Sequence, residues 1–213
     1  MNVVCVLKSK DSSIYDAEWV YKLQRAVQRN LSIPHRFVCF SDIELDCEYI
    51  KLKENFSGWW NKIQLFDPEF FLGETLYFDL DVVITKSLDE LITNLRNSTT
   101  NLFMCKEPSG VSNSSVMYWK SSIENLYEIY KKDPNSYHEE YKTIPLIGDQ
   151  AFISENQNHD YIEQHLPDGY ISWTDPVSLN YTDSTGLIIF TSIKSKPSKK
   201  IFSSIPVIQT HWI

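Results

Sequence analysis

A run of consecutive apolar residues, VVCVL at 3–7, and a second strand-like run, HRFVCF at 35–40, enclose a stretch from Ile14 to Leu31 in which Val20, Leu23, Val27 and Leu31 recur at helical spacing. A strand that is apolar at every position is one covered on both faces, the condition of a parallel sheet flanked by helices. Strand, amphipathic helix and second strand at this spacing read as a parallel β–α–β unit with a right-handed crossover. This opening constrains the chain to an α/β architecture with a mostly parallel central sheet.

The rest of the chain continues the pattern. A short helix is expected over Trp59 to Phe66, closed by Asp67-Pro68. ETLYFDLDVVI (74–84) is the third strong strand, and Ser87 followed by Leu88, Asp89 and Glu90 opens a helix running to about Leu95. NLFMC (101–105) and SVMYW (115–119) read as strands, Ser121 to Lys132 as an amphipathic helix, Pro145 to Ile153 as loop then helix, and ISW (171–173) and GLIIFTSI (186–193) as late strands. No repeat or linker divides them, so residues 1–213 are expected to form a single domain.

Charge and composition exclude some classes of function. A formal net charge of −8 is the wrong sign for general nucleic-acid binding, which rests on massed Lys and Arg. No run of 18 apolar residues exists to span a membrane. Cys5, Cys39, Cys47 and Cys105 form no CxxC pair, as expected for reduced thiols and a cytoplasmic location.

The third strand ends in two acids, Asp79 and Asp81, separated by Leu80. In an extended chain residues i and i+2 share a face, about 6–7 Å apart. Both carboxylates are then expected to converge at the carboxyl end of a central strand, where open α/β sheets bind their ligands. Adjacent buried carboxylates repel, and Mg²⁺ or Mn²⁺ relieves the conflict while leaving positions open to phosphate oxygens. The competing interpretation of Asp-x-Asp alone is a solvated turn with two surface acids.

Two families share the signature. FDLDVVITKS resembles the strand end of haloacid dehalogenase-type phosphatases, with GDQ (148–150) faintly similar to their later metal motif. Against this, a complete β–α–β unit precedes the motif, Val83 stands where a small polar residue is usual, and only about 70 residues separate the two motifs, cramped for that fold. GWWNKIQLF (58–66), LYFDLDVVITKSLDEL (76–91), GDQAFIS (148–154) and KSKPSK (194–199) occur in the order seen in glycosyltransferases of the GT-A fold, especially family 8. Over most of its length the chain resembles that family, and within it the N-terminal domain of multidomain glycosyltransferases of chlorella viruses, so it is expected to be such a domain, part of something longer.

The resemblance implies a single Rossmann-like GT-A domain that uses a UDP-sugar donor and Mn²⁺ (or Mg²⁺). It places the metal on Asp79 and Asp81. The family's usual third-ligand histidine is replaced near Thr191, and its glycine by Ser192, which leaves His211 as the expected third ligand. It implies donor contacts from Lys62, Asp79, Asn113, Ser114 and Lys196 (in a basic group with Lys194 and Lys199), and from Lys8 and Tyr15 in the loop that would cup uracil and ribose. Asp149 and Gln150 match the family's catalytic DQ pair, although Asp149 could instead cap a helix. Trp59 and Trp60 are both expected to be partly core, with one of them open to stacking on an acceptor sugar. The implied reaction is retaining transfer of a hexosyl or deoxyhexosyl group to a glycan or glycoprotein acceptor, potentially on a virion protein. A binding module that has lost catalysis is the alternative outside enzymology.

Overall fold

The computed structural model describes residues 1–10, 12, 14–143, 146–174, 179, 181–191 and 203–213. β1 (Asn2–Leu7) and β2 (Arg36–Ser41) are parallel neighbours joined through α1 (Ala17–Asn30), with Val4 opposite Val38 and Cys5 opposite Cys39. Asp16 starts α1 by accepting a hydrogen bond from the Glu18 amide. The unbroken apolar run of β1 follows from two covered faces. Val3, Cys5 and Leu7 pack with Trp19, Val20, Leu23 and Val27 of α1, whereas Val4 joins Val38 and Phe40 in the core on the other side.

β3 (Tyr49–Lys51) extends the sheet beyond β2, and the segment Gly58–Phe66 forms a 3-10 helix with a second short one at Pro68–Phe70. Then come β4 (Thr75–Phe78), β5 (Val83–Ile84), α2 (Asp89–Asn97), β6 (Leu102–Lys106), β7 (Ser112–Trp119), α3 (Leu126–Lys132) and α4 (Pro134–Glu140). β8 (Lys142–Thr143), β9 (Leu146–Ile147), α5 (Gly148–Asn156), β10 (His159–Tyr161), a 3-10 turn at Ile162–His165, β11 (Ile171–Thr174), β12 (Leu187–Phe190) and a last helix, Pro206–His211, complete the order.

Seven strands make the central sheet in the order β10-β6-β7-β4-β1-β2-β3. Its pairings are parallel except those of β7, which runs against both β4 and β6. α1 and α2 cover one face; the 3-10 helix, α3 and α5 cover the other. Each fully buried apolar side chain in these layers contributes about 1.5–3 kcal/mol, so the two cores hold the strands whose ends form the site. The expected α/β class and mostly parallel sheet are what the structure contains.

Several expectations need correction. The strand read over 74–84 is two strands in different sheets: β4 stops at Phe78, a turn closes with the Val82 amide on the Asp79 carbonyl (3.2 Å), and β5 pairs antiparallel with β12. Both Leu80 and Val82 find core within that turn, so an apolar pattern alone could not reveal the break. The helix over 59–66 is 3-10 rather than α. The helix expected from Ser121 begins only at Leu126, after Asn125 takes a left-handed φ of 65°. β12 ends at Phe190, short of 193.

Candidate functional site

The site lies at the carboxyl end of β4, between its parallel neighbour β1 and its antiparallel neighbour β7. The Asp79 amide donates to the Ser115 carbonyl at 2.7 Å, which ties the turn after β4 to the start of β7. Asp81 follows inside the turn and is buried at 4% exposure, whereas the Asp79 side chain is 29% exposed. The two acids are therefore neighbours in a turn, not alternate residues of a strand.

The centre of the site is Lys62. Its ammonium lies 3.0 Å from Asp79 Oδ1, 3.0 Å from Asp149 Oδ2 and 2.8 Å from Ser114 Oγ. Ser114 Oγ in turn donates to Asp149 Oδ2 at 2.7 Å, and Tyr77 Oη donates to Asp79 Oδ1 at 2.5 Å. Burial by itself pulls the Lys62 ammonium toward neutrality, but Asp149 and Asp79 outweigh it and its pKa lies above the ordinary 10.5. Tyr77 is held protonated by burial first and by the Asp79 charge second.

The local fold explains how Lys62 comes to face inward. In a 3-10 helix positions i and i+3 eclipse, so Gly58–Phe66 has three rows. Trp60, Ile63 and Phe66 sink into the core. Asn61 and Gln64, both fully buried, fasten the preceding loop: Asn61 Nδ2 donates to the Phe56 and Gly58 carbonyls, and Gln64 Oε1 accepts from the Lys53 and Glu54 amides. The third row carries Trp59 and Lys62, which places the lysine over the end of β4.

A second cluster shapes the loop after β1. Asp42, just past β2, accepts from the Ser9 and Lys10 amides at 2.7 and 3.1 Å and from Lys8 Nζ at 3.3 Å. Burial raises the Asp42 pKa, yet those donors together bring it below the usual carboxylate range. Lys8 also reaches Asn55 Oδ1 at 2.6 Å. Tyr15 closes the loop onto the site, with its hydroxyl 3.3 Å from Asp81 Oδ2 and its ring edge-on to Trp19. Burial, then the Asp81 and Asp79 charges, keep that phenol protonated.

Of the residues the sequence singled out, Lys62, Asp79, Ser114 and Asp149 share one hydrogen-bonded cluster, and Asp81 with Tyr15 adjoins it. Asp149 does not cap α5: the helix begins at Gly148 with no side-chain cap, and the carboxylate is spent on Lys62 and Ser114. Gln150 is half-buried in the same first turn. Asn113 is directed elsewhere, with its amide nitrogen on Glu107 Oε1 and its oxygen on the Ser115 amide, both at 2.8 Å.

The expected third metal ligand is not assembled. The helix carrying His211 docks along α1, where Arg29, Lys22 and Arg25 donate to the carbonyls of His211, Trp212 and Ile213. Among the described residues no three His, Cys, Asp or Glu side chains gather as a metal-holding set, so His211 is not joined to Asp79 and Asp81. Lys196, with Ser192, Lys194 and Lys199, lies outside the described residues. The donor chemistry of the Asp79/Asp81 pair still suits a hard divalent cation. Lys62 faces two of the carboxylates, Asp79 and Asp149, and Asp81 adjoins them through Tyr15.

Tyr77, Asp42, Asn61 and Gln64 support the site and were not anticipated. Tyr77 had a signal, since a strand read over 74–84 puts it two positions before Asp79 and on the same face. The other three are partners set by tertiary contact.

No protein-family model matches this sequence, and no curated protein matches it. Solved structures do. A galactosyltransferase, LgtC, crystallised in complex with donor and acceptor sugar analogs, is similar over 98% of this chain and 93% of its own, with a TM-score of 0.65 and 11% identity. The glycosyltransferase GlyE of Streptococcus pneumoniae TIGR4 is similar over 79% of this chain and 46% of its own, with a TM-score of 0.55 and 17% identity. The bifunctional glycosyltransferase WbbM, in its apo form, gives a TM-score of 0.52 at 10% identity over 92% of this chain. At such identities the likeness establishes architecture: this chain has the GT-A fold of glycosyltransferases.

Proposed function

We infer that the chain is a glycosyltransferase that moves a hexosyl or deoxyhexosyl group from a UDP-sugar to an acceptor hydroxyl, with retention of configuration. The observation that carries this reading is the buried Lys62, held 3.0 Å from both Asp79 and Asp149 at the carboxyl end of β4. Support comes from the place of that cluster in the fold and from the donor and acceptor analogs bound by LgtC. The dehalogenase-type reading is disfavoured, because a whole β1–α1–β2 unit precedes β4 and Asp79 Oδ1 is already taken by Lys62 and Tyr77.

In this reading Asp79 and Asp81 would hold Mn²⁺ or Mg²⁺, which supplies charge neutralisation for a departing diphosphate. Lys62 places a fixed positive charge beside the same region without reorganisation. Ser114 and Lys62 hold the Asp149 carboxylate in one orientation, so that it can accept a hydrogen bond from a sugar hydroxyl, with Gln150 next to it. Tyr15 and the loop pinned by Asp42 border the turn on the side assigned to the nucleotide. The acceptor is a glycan or glycoprotein, and a growing glycan on a virion protein is the setting that the sequence resemblance suggests. Among the described residues no helix is long and apolar enough to cross a membrane.

Thermal-shift measurements with uridine, guanosine and thymidine diphosphates, with and without Mn²⁺, test the reading. A ligand that binds only the folded state raises its stability by mass action. Metal-dependent stabilisation by UDP, followed by slow UDP release from one UDP-sugar, is expected. No stabilisation by any uridine nucleotide overturns it.

A further inference from the structure

Of the six tryptophans only Trp59 is exposed, at 60%, although its neighbour Trp60 is 5% exposed and stacks on both Tyr130 and His138. A single exposed aromatic is ordinary on a protein surface. The place of this one is not. Trp59 precedes Lys62 by one turn of the 3-10 helix and therefore shares its row. The indole edge lies against the backbone of Gly148: a Cβ built there would come within 2.7 Å of Trp59 Nε1 and 3.2 Å of Cε2. Gly148 also adopts a φ of 68°, in the left-handed region, and is followed directly by Asp149. The ring is thus seated on the first residue of α5.

The contacts then follow one another from residue to residue, as a line of partners. Tyr15 meets Asp81, Asp79 meets Lys62, Lys62 meets Asp149, and Gly148 meets Trp59. A diphosphate belongs at the aspartate turn, so the far end of this line faces whatever lies beyond the donor sugar. We propose that Trp59 is the stacking wall of an acceptor subsite, taking the apolar face of a pyranose ring whose hydroxyl approaches the Asp149 side of the cluster. The assignment rests on the glycosyltransferase reading above. The held ring offers a rigid apolar plane at small entropic cost, and Gly148 is the residue that leaves room for it.

The test uses the whole chain with saturating UDP and Mn²⁺, titrated with methyl α- and β-glycosides of glucose, galactose, mannose and xylose. Intrinsic fluorescence and saturation-transfer NMR report sugar binding, and UDP release from the donor reports transfer. At least one glycoside should change wild-type fluorescence saturably, and the change should vanish in Trp59→Ala. The acceptor KM should rise about tenfold in Trp59→Ala and much less in Trp59→Phe, the size of a lost aromatic contact. Both variants should keep the wild-type thermal shift with UDP, which shows an intact fold and donor site.

An unchanged acceptor KM in Trp59→Ala overturns the proposal. So does a loss of UDP affinity in that variant, which would move Trp59 to the donor side. A chain that binds UDP but responds to no glycoside overturns it as well, leaving the glycosyltransferase reading in place. Failure of the wild type to bind any uridine nucleotide removes that reading, and the subsite with it.

Discussion

Lys53 and Lys62 stand on either side of the same loop, and each bridges two carboxylates. Lys53 reaches Asp67 at 2.9 Å and Glu69 at 2.5 Å; Lys62 reaches Asp79 and Asp149, each at 3.0 Å. On distance alone the two triads are alike. They differ in solvent at the lysine: the Lys53 side chain is 34% exposed, with Glu69 at 78% and only Asp67 buried at 6%, while the Lys62 side chain is 6% exposed, with Asp149 at 7% and Asp79 at 29%. An exposed pair exchanges one hydrated arrangement for another and contributes little. A buried one has already lost its hydration, so removing one member strands the others.

The largest effect expected from this contrast is in Lys62→Met. It leaves Asp79 and Asp149 without their shared cation and should cost about 3–5 kcal/mol in urea unfolding, together with loss of UDP release. A stability within error of wild type would show that water reaches the cluster. Next comes Asp149→Asn, which keeps a polar group for Ser114 but removes one charge. Turnover should fall about 100-fold, the scale of losing one positioned polar group at a reacting centre, with UDP affinity nearly kept. Equal losses of both would place Asp149 in donor binding alone.

Tyr77→Phe should cost about 1–3 kcal/mol, because Asp79 loses a buried donor. It also sharpens the pH dependence. The Lys62 and Tyr77 pKa values are both raised on folding. The folded chain therefore holds protons that the unfolded chain gives up above the ordinary values of 10.0 for tyrosine and 10.5 for lysine. Their stabilisation is intact below that range and is lost as pH rises through it. The unfolding midpoint of the wild type should fall more steeply above about pH 10 than that of Tyr77→Phe; parallel curves would exclude these groups. The smallest effect belongs to Lys53→Ala, which should leave UDP release unchanged and lower the thermal midpoint only slightly, since Asp67, the one buried acid it meets, still accepts from the Glu69 amide. A clear loss there would erase the distinction drawn between the two lysines.

Much of this was legible in the sequence. The strand–helix–strand opening, the central strand before Asp79 and the order of four motifs led to the fold class and to Lys62, Asp79, Ser114 and Asp149. Where the structure departs from the expectations or leaves them unassembled, the cause is shared: pattern records polarity and not geometry. The break after Phe78 was hidden because Leu80 and Val82 are as buried inside the turn as they would be in a strand. His211 was chosen as the late histidine nearest the family pattern, but three basic residues of α1 hold the backbone of His211, Trp212 and Ile213 along the helix. Asn113 matched a motif position, yet Glu107 across the β6–β7 connection claims its amide.

The sequence by itself determined which segments are buried on both faces and where carboxylates interrupt them, since hydrophobic periodicity and charge are local properties of the chain. Only the tertiary structure decided which acids Lys62 meets, that Trp59 stays at the surface while Trp60 is buried, and that the helix carrying all three winds with three residues per turn. Those outcomes depend on partners far apart in the chain, Asp149 and Gly148 among them, and on how much water the packing leaves around each charge.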